Sequence, residues 1–284
     1  MSWQYLSTLI IVVTSQVFIL LEHVFPYDKG QKLFRKGWFL DFFLYSLLQS
    51  FVLGFVITTI VRWIDGVTHL TSHPLLGSWP LWAQIVFFLF THDFYIYWFH
   101  RAQHRFPVLW RIHEAHHSVE NVDWLAGSRS HALEILINQT IEFAPIYLLT
   151  GSPSLWFIKA TIDAVWGMYI HSNINSKAGP IQYVLNGPEM HRWHHSKEYT
   201  GYGFNYGTKF AFWDFIFGTA YRPARKPPGY GLDEPFPQSY FGQLFFAFRP
   251  FSKPEGDAKP IDVPLELAPS PYVSSKATEA HETA

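Results

Sequence analysis

Three short stretches of the chain concentrate imidazole: His100-Arg-Ala-Gln-His104, His113-Glu-Ala-His116-His117 and His191-Arg-Trp-His194-His195. On a helix, positions i, i+3 and i+4 share a face. Each stretch can therefore present two or three rings in one direction while Arg101, Arg192 and Trp193 point elsewhere. A lone histidine is ordinarily a surface or satisfied core residue, and His23, His69, His73 and His281 are read that way. Eight rings on three segments exceed the four ligands of a tetrahedral metal, so two metals are the economical arrangement. Imidazole suits zinc, copper, iron and nickel alike, and the ring chemistry leaves the metal open. The lack of a Cys or Met cluster argues against a copper(I) carrier. His113-Glu114-Ala115-His116-His117 also fits H-E-x-x-H, in which two histidines hold zinc and the Glu is a general base. A peptidase would leave His100, His104 and the 191–195 stretch without a role.

The elements that must position these rings are apolar. The chain has 284 residues, 49% hydrophobic and 19% aromatic but only 15% charged, against about a quarter charged in an ordinary soluble domain. A net charge of -1 supplies no electrostatic footprint for nucleic acid, and none is expected as a partner. Cysteine is absent, which excludes disulfides, thiolate nucleophiles and iron-sulfur clusters. Trp3 to Leu21 and Phe42 to Val61 carry no charge and approach the ~20 residues of a membrane-spanning helix. No basic residue precedes the first run, so it is expected to remain in the mature chain rather than serve as a cleaved signal. Leu81 to Phe99 is as long but contains His92 and Asp93, which need partners or a polar cavity. Leu133 to Leu149 and Leu155 to Ile170 flank a Gly151-Ser152-Pro153-Ser154 turn and read as a hairpin that spans or re-enters. Lys and Arg number four in 26–37, one in 62–80, four in 100–132, none in 150–154 and eleven from 171 onward. That alternation is self-consistent for five crossings with the histidine stretches on the cytosolic side. Phe210–Phe217 and Phe241–Phe251 are too short to span and are expected to lie in the interface.

Asp93-Phe-Tyr-Ile-Tyr-Trp-Phe-His100-Arg-Ala-Gln-His104, Leu109-Trp-Arg-Ile-His113-Glu-Ala-His116-His117-Ser118, His131-Ala-Leu-Glu134, His171-Ser-Asn and His191-Arg-Trp-His194-His195 together resemble the fatty acid hydroxylase and sterol desaturase superfamily. Asn205-Tyr-Gly207 and Trp213-Asp214 to Gly218-Thr219 are similar to it too, and the likeness covers roughly residues 80–225. It implies an all-α integral membrane protein: four to five transmembrane helices carrying a histidine-rich helical di-metal domain at the cytosolic face. It implies two iron ions, dioxygen as co-substrate, and hydroxylation or desaturation of a lipid. It also implies that His171 joins His100, His104, His113, His116, His117, His191, His194 and His195 as a ligand. Certain members have a second His four residues after the position of His171; here it is Asn175. A water or His131 is expected to fill the gap, or one iron to be less saturated; His131, as ligand or substrate-channel residue, and Asn175 are secondary candidates. Asp93, seven residues before His100, is expected to accept a hydrogen bond from a ligand imidazole, with Glu114 and Glu134 as further orienting carboxylates. His92 points about 80° away from His100 on an ideal helix and is assigned to packing or a polar network.

The expected organisation is a transmembrane region over 1–79, a di-iron catalytic domain over 80–225, an interfacial segment over 226–253 and a disordered tail over 254–284. No fused cytochrome b5 domain is recognisable, so a separate protein or small reductant is expected to supply electrons. Ether-lipid oxidation of the alkylglycerol monooxygenase kind, fatty-acyl hydroxylation, a histidine-lined metal carrier and an H-E-x-x-H intramembrane peptidase are the alternatives. The aromatic surplus fits a substrate tunnel, but Trp and Tyr accumulate at membrane interfaces anyway.

Overall fold

A computed structural model describes residues 2–198 and 203–250. The expected tail over 254–284, the last residues of the interfacial segment and His281 lie outside the described residues. Among those described, the architecture is all-α, with no strand beyond isolated bridges such as Pro26 to Ile174. The helices are α1 (Trp3–Val24), α2 (Ser50–Thr68), α3 (Leu81–Arg105), α4 (Pro107–His117), α5 (Ala132–Thr150), α6 (Pro153–His171), α7 (Pro188–His194), α8 (Phe212–Ile216) and α9 (Tyr240–Phe246). A π-helical stretch, Leu40–Gln49, leads directly into α2.

Three of these segments are long and apolar enough to cross a membrane: Trp3–Val24, Leu40–Thr68 and Ala132–Thr150. The second is longer at both ends than Phe42 to Val61, because the π-helical turn continues without a break. α3 and α6 are as long but carry the polar residues His92, Asp93, Lys159 and Asp163.

α1 lies along α6, α2 along α5, and α3 against α4. Leu53, Ile57 and Val61 of α2 are buried against Ala144 and Leu148 of α5, while Phe88 of α3 meets Phe143, Ile146 and Leu155. Outward-facing Leu20, Phe51 and Phe55 stay exposed, as a lipid-facing surface requires. Lipid tails are as apolar as leucine, so helix association there rests on close packing and polar bonds. The Ser7 hydroxyl meets that of Thr161 at 2.5 Å between α1 and α6. Deeper in the bundle, the Lys159 ammonium donates to Glu142, to Asp163 at 2.6 Å and to His92 Nδ1 at 3.2 Å, and Lys209 reaches Asp163 at 2.6 Å. Two cations and two carboxylates thereby satisfy one another across α5, α6 and the loop before α8. His92 belongs to this lattice, the polar-network role expected of it.

Local sequence explains how the helix ends aim the histidines. Phe106 is extended (φ -108°, ψ 120°) because a proline follows. Pro107 then opens α4 at its first position, where its missing N–H costs nothing. Gly187 and Pro188 start α7 in the same way. The Phe210–Phe217 segment is held against the bundle. Its rings pack on α3, with Phe94 4.9 Å from Trp213 and Trp98 4.9 Å from Phe217 between centroids.

Candidate metal centre

Nine buried or nearly buried histidines converge where α3, α4, α6 and α7 end. Their ring nitrogens form two groups, each with its members' atoms within 4.8 Å of one another: His100, His104, His113, His117 and His194, and His116, His171, His191 and His195. The groups cut across the sequence clusters. His113 and His117 of α4 join the first while His116 joins the second, and α7 divides its rings between the two in the same way. α4 and α7 thus stand between two sites, with the His116 and His195 centroids 4.6 Å apart and those of His117 and His195 4.7 Å apart.

The outer nitrogens fix which atoms are free. His100 Nδ1 lies 2.9 Å from the Tyr206 carbonyl, His194 Nδ1 2.8 Å from that of Phe204, His116 Nδ1 3.1 Å from that of Arg129 and His171 Nδ1 2.8 Å from that of Gly167. His113 Nδ1 lies 2.8 Å from Glu134 Oε1. A carbonyl or carboxylate oxygen only accepts, so each of these Nδ1 atoms carries the hydrogen and, in the neutral ring, leaves Nε2 a bare lone pair. Yet His100 Nε2 faces His113 Nε2 at 3.1 Å, and His116 Nε2 faces His171 Nε2 at 3.3 Å. Two lone pairs at that distance repel. Protonating one ring would relieve the clash, but burial and neighbouring rings push His113 and His116 well below the usual imidazole pKa. A cation among these nitrogens removes the conflict in both groups, and neutral imidazole is the form that binds one. The donor set therefore fits metal ions.

Supporting residues hold this geometry. Gln103 donates to Glu134 at 2.9 Å, fixing the carboxylate that orients His113. Asp214, its carboxyl pushed up to about 6 by burial, accepts from the Tyr206 and Gly207 amides at 2.8 and 2.9 Å, which sets the Tyr206 carbonyl on His100. Gly127 leaves room for His171: a Cβ there would lie 2.6 Å from His171 Nδ1. Arg35 joins Asp41 and Asp123 at 2.8 and 2.7 Å, and Asp41 binds Arg129 at 2.6 Å, anchoring the residue whose carbonyl receives His116. Asp41 and Arg35 carry no motif, and their pairing with residues some 90 positions away left no signal in the sequence. Asn205 (φ 58°) locks the turn behind α7 by bonding the Met190 and Tyr221 carbonyls at 2.9 and 2.8 Å.

Four expectations need correction. Asp93 touches no site imidazole; it accepts from the Thr208 hydroxyl, the Lys209 and Phe210 amides and the Trp213 indole at 2.7 to 3.2 Å. Those donors come from the loop that crosses beside α3, and they saturate the carboxylate. His131 is the N-cap of α5: its Nδ1 accepts from the Leu133 amide, so its Nε2 donates to the Leu244 carbonyl at 3.0 Å. Both nitrogens are spent and neither group includes it. Asn175 also lies outside both groups, with its amide bonded to the Phe25 carbonyl at 2.8 Å. Glu114 orients no histidine; both its oxygens bind Arg249, at 2.7 and 3.1 Å. Burial raises its pKa to about 7.

A cavity of about 420 Å³ opens beside the first group, lined by Trp110, Glu114, Lys197, Phe236 and Arg249 among others. The Trp110 ring separates it from the histidines, with centroids 5.1 Å from His104 and 5.2 Å from His117.

No solved structure shows a significant match to the chain. An ornithine lipid hydroxylase of Rhizobium tropici is 30% identical over 215 residues, covering 75% of this chain and 64% of that protein. Human alkylglycerol monooxygenase is 32% identical over 143 residues, 50% of this chain and 32% of its own length. A very-long-chain aldehyde decarbonylase of Oryza sativa is 31% identical over 157 residues, 52% of this chain and 56% of that one. The chain thus spans less than two thirds of the length of each. Residues 85–219, a stretch that takes in all nine converging histidines, match the fatty acid hydroxylase family.

Proposed function

We propose that this protein is a membrane-embedded oxygenase that uses two iron ions, one in each histidine group, to hydroxylate or desaturate a lipid with dioxygen. The observation that carries the reading is the opposition of bare Nε2 atoms in both groups, which calls for a cation in each. His100, His104, His113, His117 and His194 would hold one ion; His116, His171, His191 and His195 would hold the other. When bound, iron supplies the oxidising power for an aliphatic carbon-hydrogen bond that no side chain possesses.

The chain's own contribution is placement. Backbone carbonyls of Arg129, Gly167, Phe204 and Tyr206, with Glu134, keep five Nδ1 atoms protonated and turn the opposite nitrogens inward. The buried rings exclude water and remain neutral. Imidazoles alone fill both groups, five donors against four, with two carbonyl-oriented rings in each. An amphiphilic substrate is supported by the similarity to a lipid hydroxylase over three quarters of the chain, and an ether lipid is the second substrate class for the same reason. The two electrons of each turnover would come from an external donor. The alternation of basic segments supports a cytosolic location of the centre.

The pairing of Glu114 with Arg249 favours this reading over a peptidase, which needs a free Glu beside its metal. The test is to purify the full chain from cells grown with iron, measure metal per chain, and follow oxygen consumption and lipid products with and without the protein. Iron near two per chain with oxygen-dependent lipid products, retained in Glu114→Gln, is expected. One zinc per chain without oxygen consumption would overturn the proposal.

A further inference from the structure

A second cavity, of about 520 Å³, lies on the other side of α7 from the histidine centre and has four cations in its wall, Lys177, Arg222, Arg225 and Lys226, against one carboxylate, Glu189. Tyr27 and Trp193 supply its aromatic surfaces. Glu189 and Trp193, four apart on α7, face it, whereas His191, His194 and His195 belong to the metal groups. Part of the positive charge is neutralised: Arg225 pairs with Glu198, and Lys226 with Asp28 at 3.0 Å. Lys177 and Arg222 have no carboxylate partner among the described residues. Beneath the wall, Arg192 is 1% exposed and donates through one nitrogen to the Ser172 and Ile174 carbonyls. Its Nε and Nη2 are buried without a hydrogen-bond partner among the described residues. Arg192 and Lys226 both lie on the Tyr27 ring, 3.7 and 4.0 Å from its centroid. Tyr27 follows the end of α1 by three residues, so the cavity sits at the depth where the first candidate span ends.

We propose that this cavity binds a phosphate group. Guanidinium and ammonium donors converging on one space match phosphate oxygens, and the volume falls in the range of small-ligand cavities. The phosphate can belong to an anionic membrane lipid, for which interfacial Tyr and Trp beside basic residues are suited, or to a soluble phosphate. The site is independent of the reaction proposed above.

The test uses the full chain, purified with its metal in detergent, and three probes: inorganic phosphate, short-chain phosphatidylglycerol and the corresponding neutral diacylglycerol. Calorimetric affinities are compared for the native chain, Lys177→Gln/Arg222→Gln, and Arg62→Gln on α2 as a control. The double variant, which removes two of the four lining cations, is expected to keep its metal content and melting temperature yet bind phosphate probes at least about tenfold more weakly, the effect of losing even one charge-assisted contact. Arg62→Gln should bind as the native chain does. Tighter binding of phosphatidylglycerol than of phosphate assigns a lipid headgroup; equal affinity assigns a soluble phosphate. Undiminished binding in the double variant, equally tight binding of the neutral lipid, or no binding of either phosphate probe overturns the proposal. Loss of an acidic protein partner in the double variant, with neither phosphate probe binding, overturns it as well.

Discussion

His116 and His117 are neighbours in sequence but serve different sites: their rings stand at 85° with centroids 5.6 Å apart, and each meets a different set of imidazoles. One turn of α4 therefore contributes to both halves of the centre. His116→Ala and His117→Ala are expected to lose metal unequally, each near one ion per chain, while the double variant loses both. Metal analysis of the purified variants checks this; simultaneous loss of both ions in either single variant would show one undivided site.

Glu134 accepts from His113 and from Gln103. Glu134→Gln keeps the shape but replaces a charged acceptor with a neutral one. Metal affinity should fall about 10- to 100-fold, as when other outer partners of ligand histidines are removed. Competition with a chelator of known affinity measures it, and an unchanged dissociation constant would assign Glu134 a packing role only.

Gly127→Ala tests the closest approach in the centre. The added methyl would overlap the His171 ring at 2.6 Å, and His171 cannot retreat without leaving the Gly167 carbonyl. The variant should lose metal from the four-histidine group while keeping its helix content by circular dichroism. Full metal loading at native affinity would contradict the geometry.

Acid should release the metal. Burial and neighbouring rings hold His113, His116, His117, His191, His194 and His195 well below the usual imidazole pKa. The folded rings stay neutral while the unfolded chain takes up protons below about pH 6.5. Stability and metal retention are thus fully present above that pH and decline as pH falls through it. Melting temperature and bound metal measured between pH 8 and pH 5 should fall together, and a pH-independent profile would be inconsistent with neutral buried rings.

Lys159 is the hub of the buried charge lattice across α5 and α6. Lys159→Met leaves Glu142 with no cation in contact, and breaking a buried pair from one side costs about 3–5 kcal/mol. A melting temperature well below that of the native chain in the same detergent is expected, whereas Lys36→Met, whose partner Glu120 is exposed, should change it little.

The candidate metal chemistry was legible in the chain because the converging histidines sit at helical spacing on short segments, and imidazole type and spacing survive without any knowledge of the fold. The apolar runs at α1, α2 and α5 were legible for a similar reason: a bilayer demands length and composition, both local properties. Which ring falls in which group was not legible. It depends on the angle at which α4 and α7 enter the centre, fixed by Phe106-Pro107 and Gly187-Pro188 and by packing against α3 and α6. Proximity in sequence misled for Asp93 and His131, because a loop from residue 208 onward saturates one and the start of α5 and Leu244 consume the other. The carbonyls of Arg129, Gly167, Phe204 and Tyr206 have no signature, since any residue provides one. Only the tertiary structure decides where a carbonyl points, and here that direction sets the tautomer of each ring and leaves its inner nitrogen free for a metal.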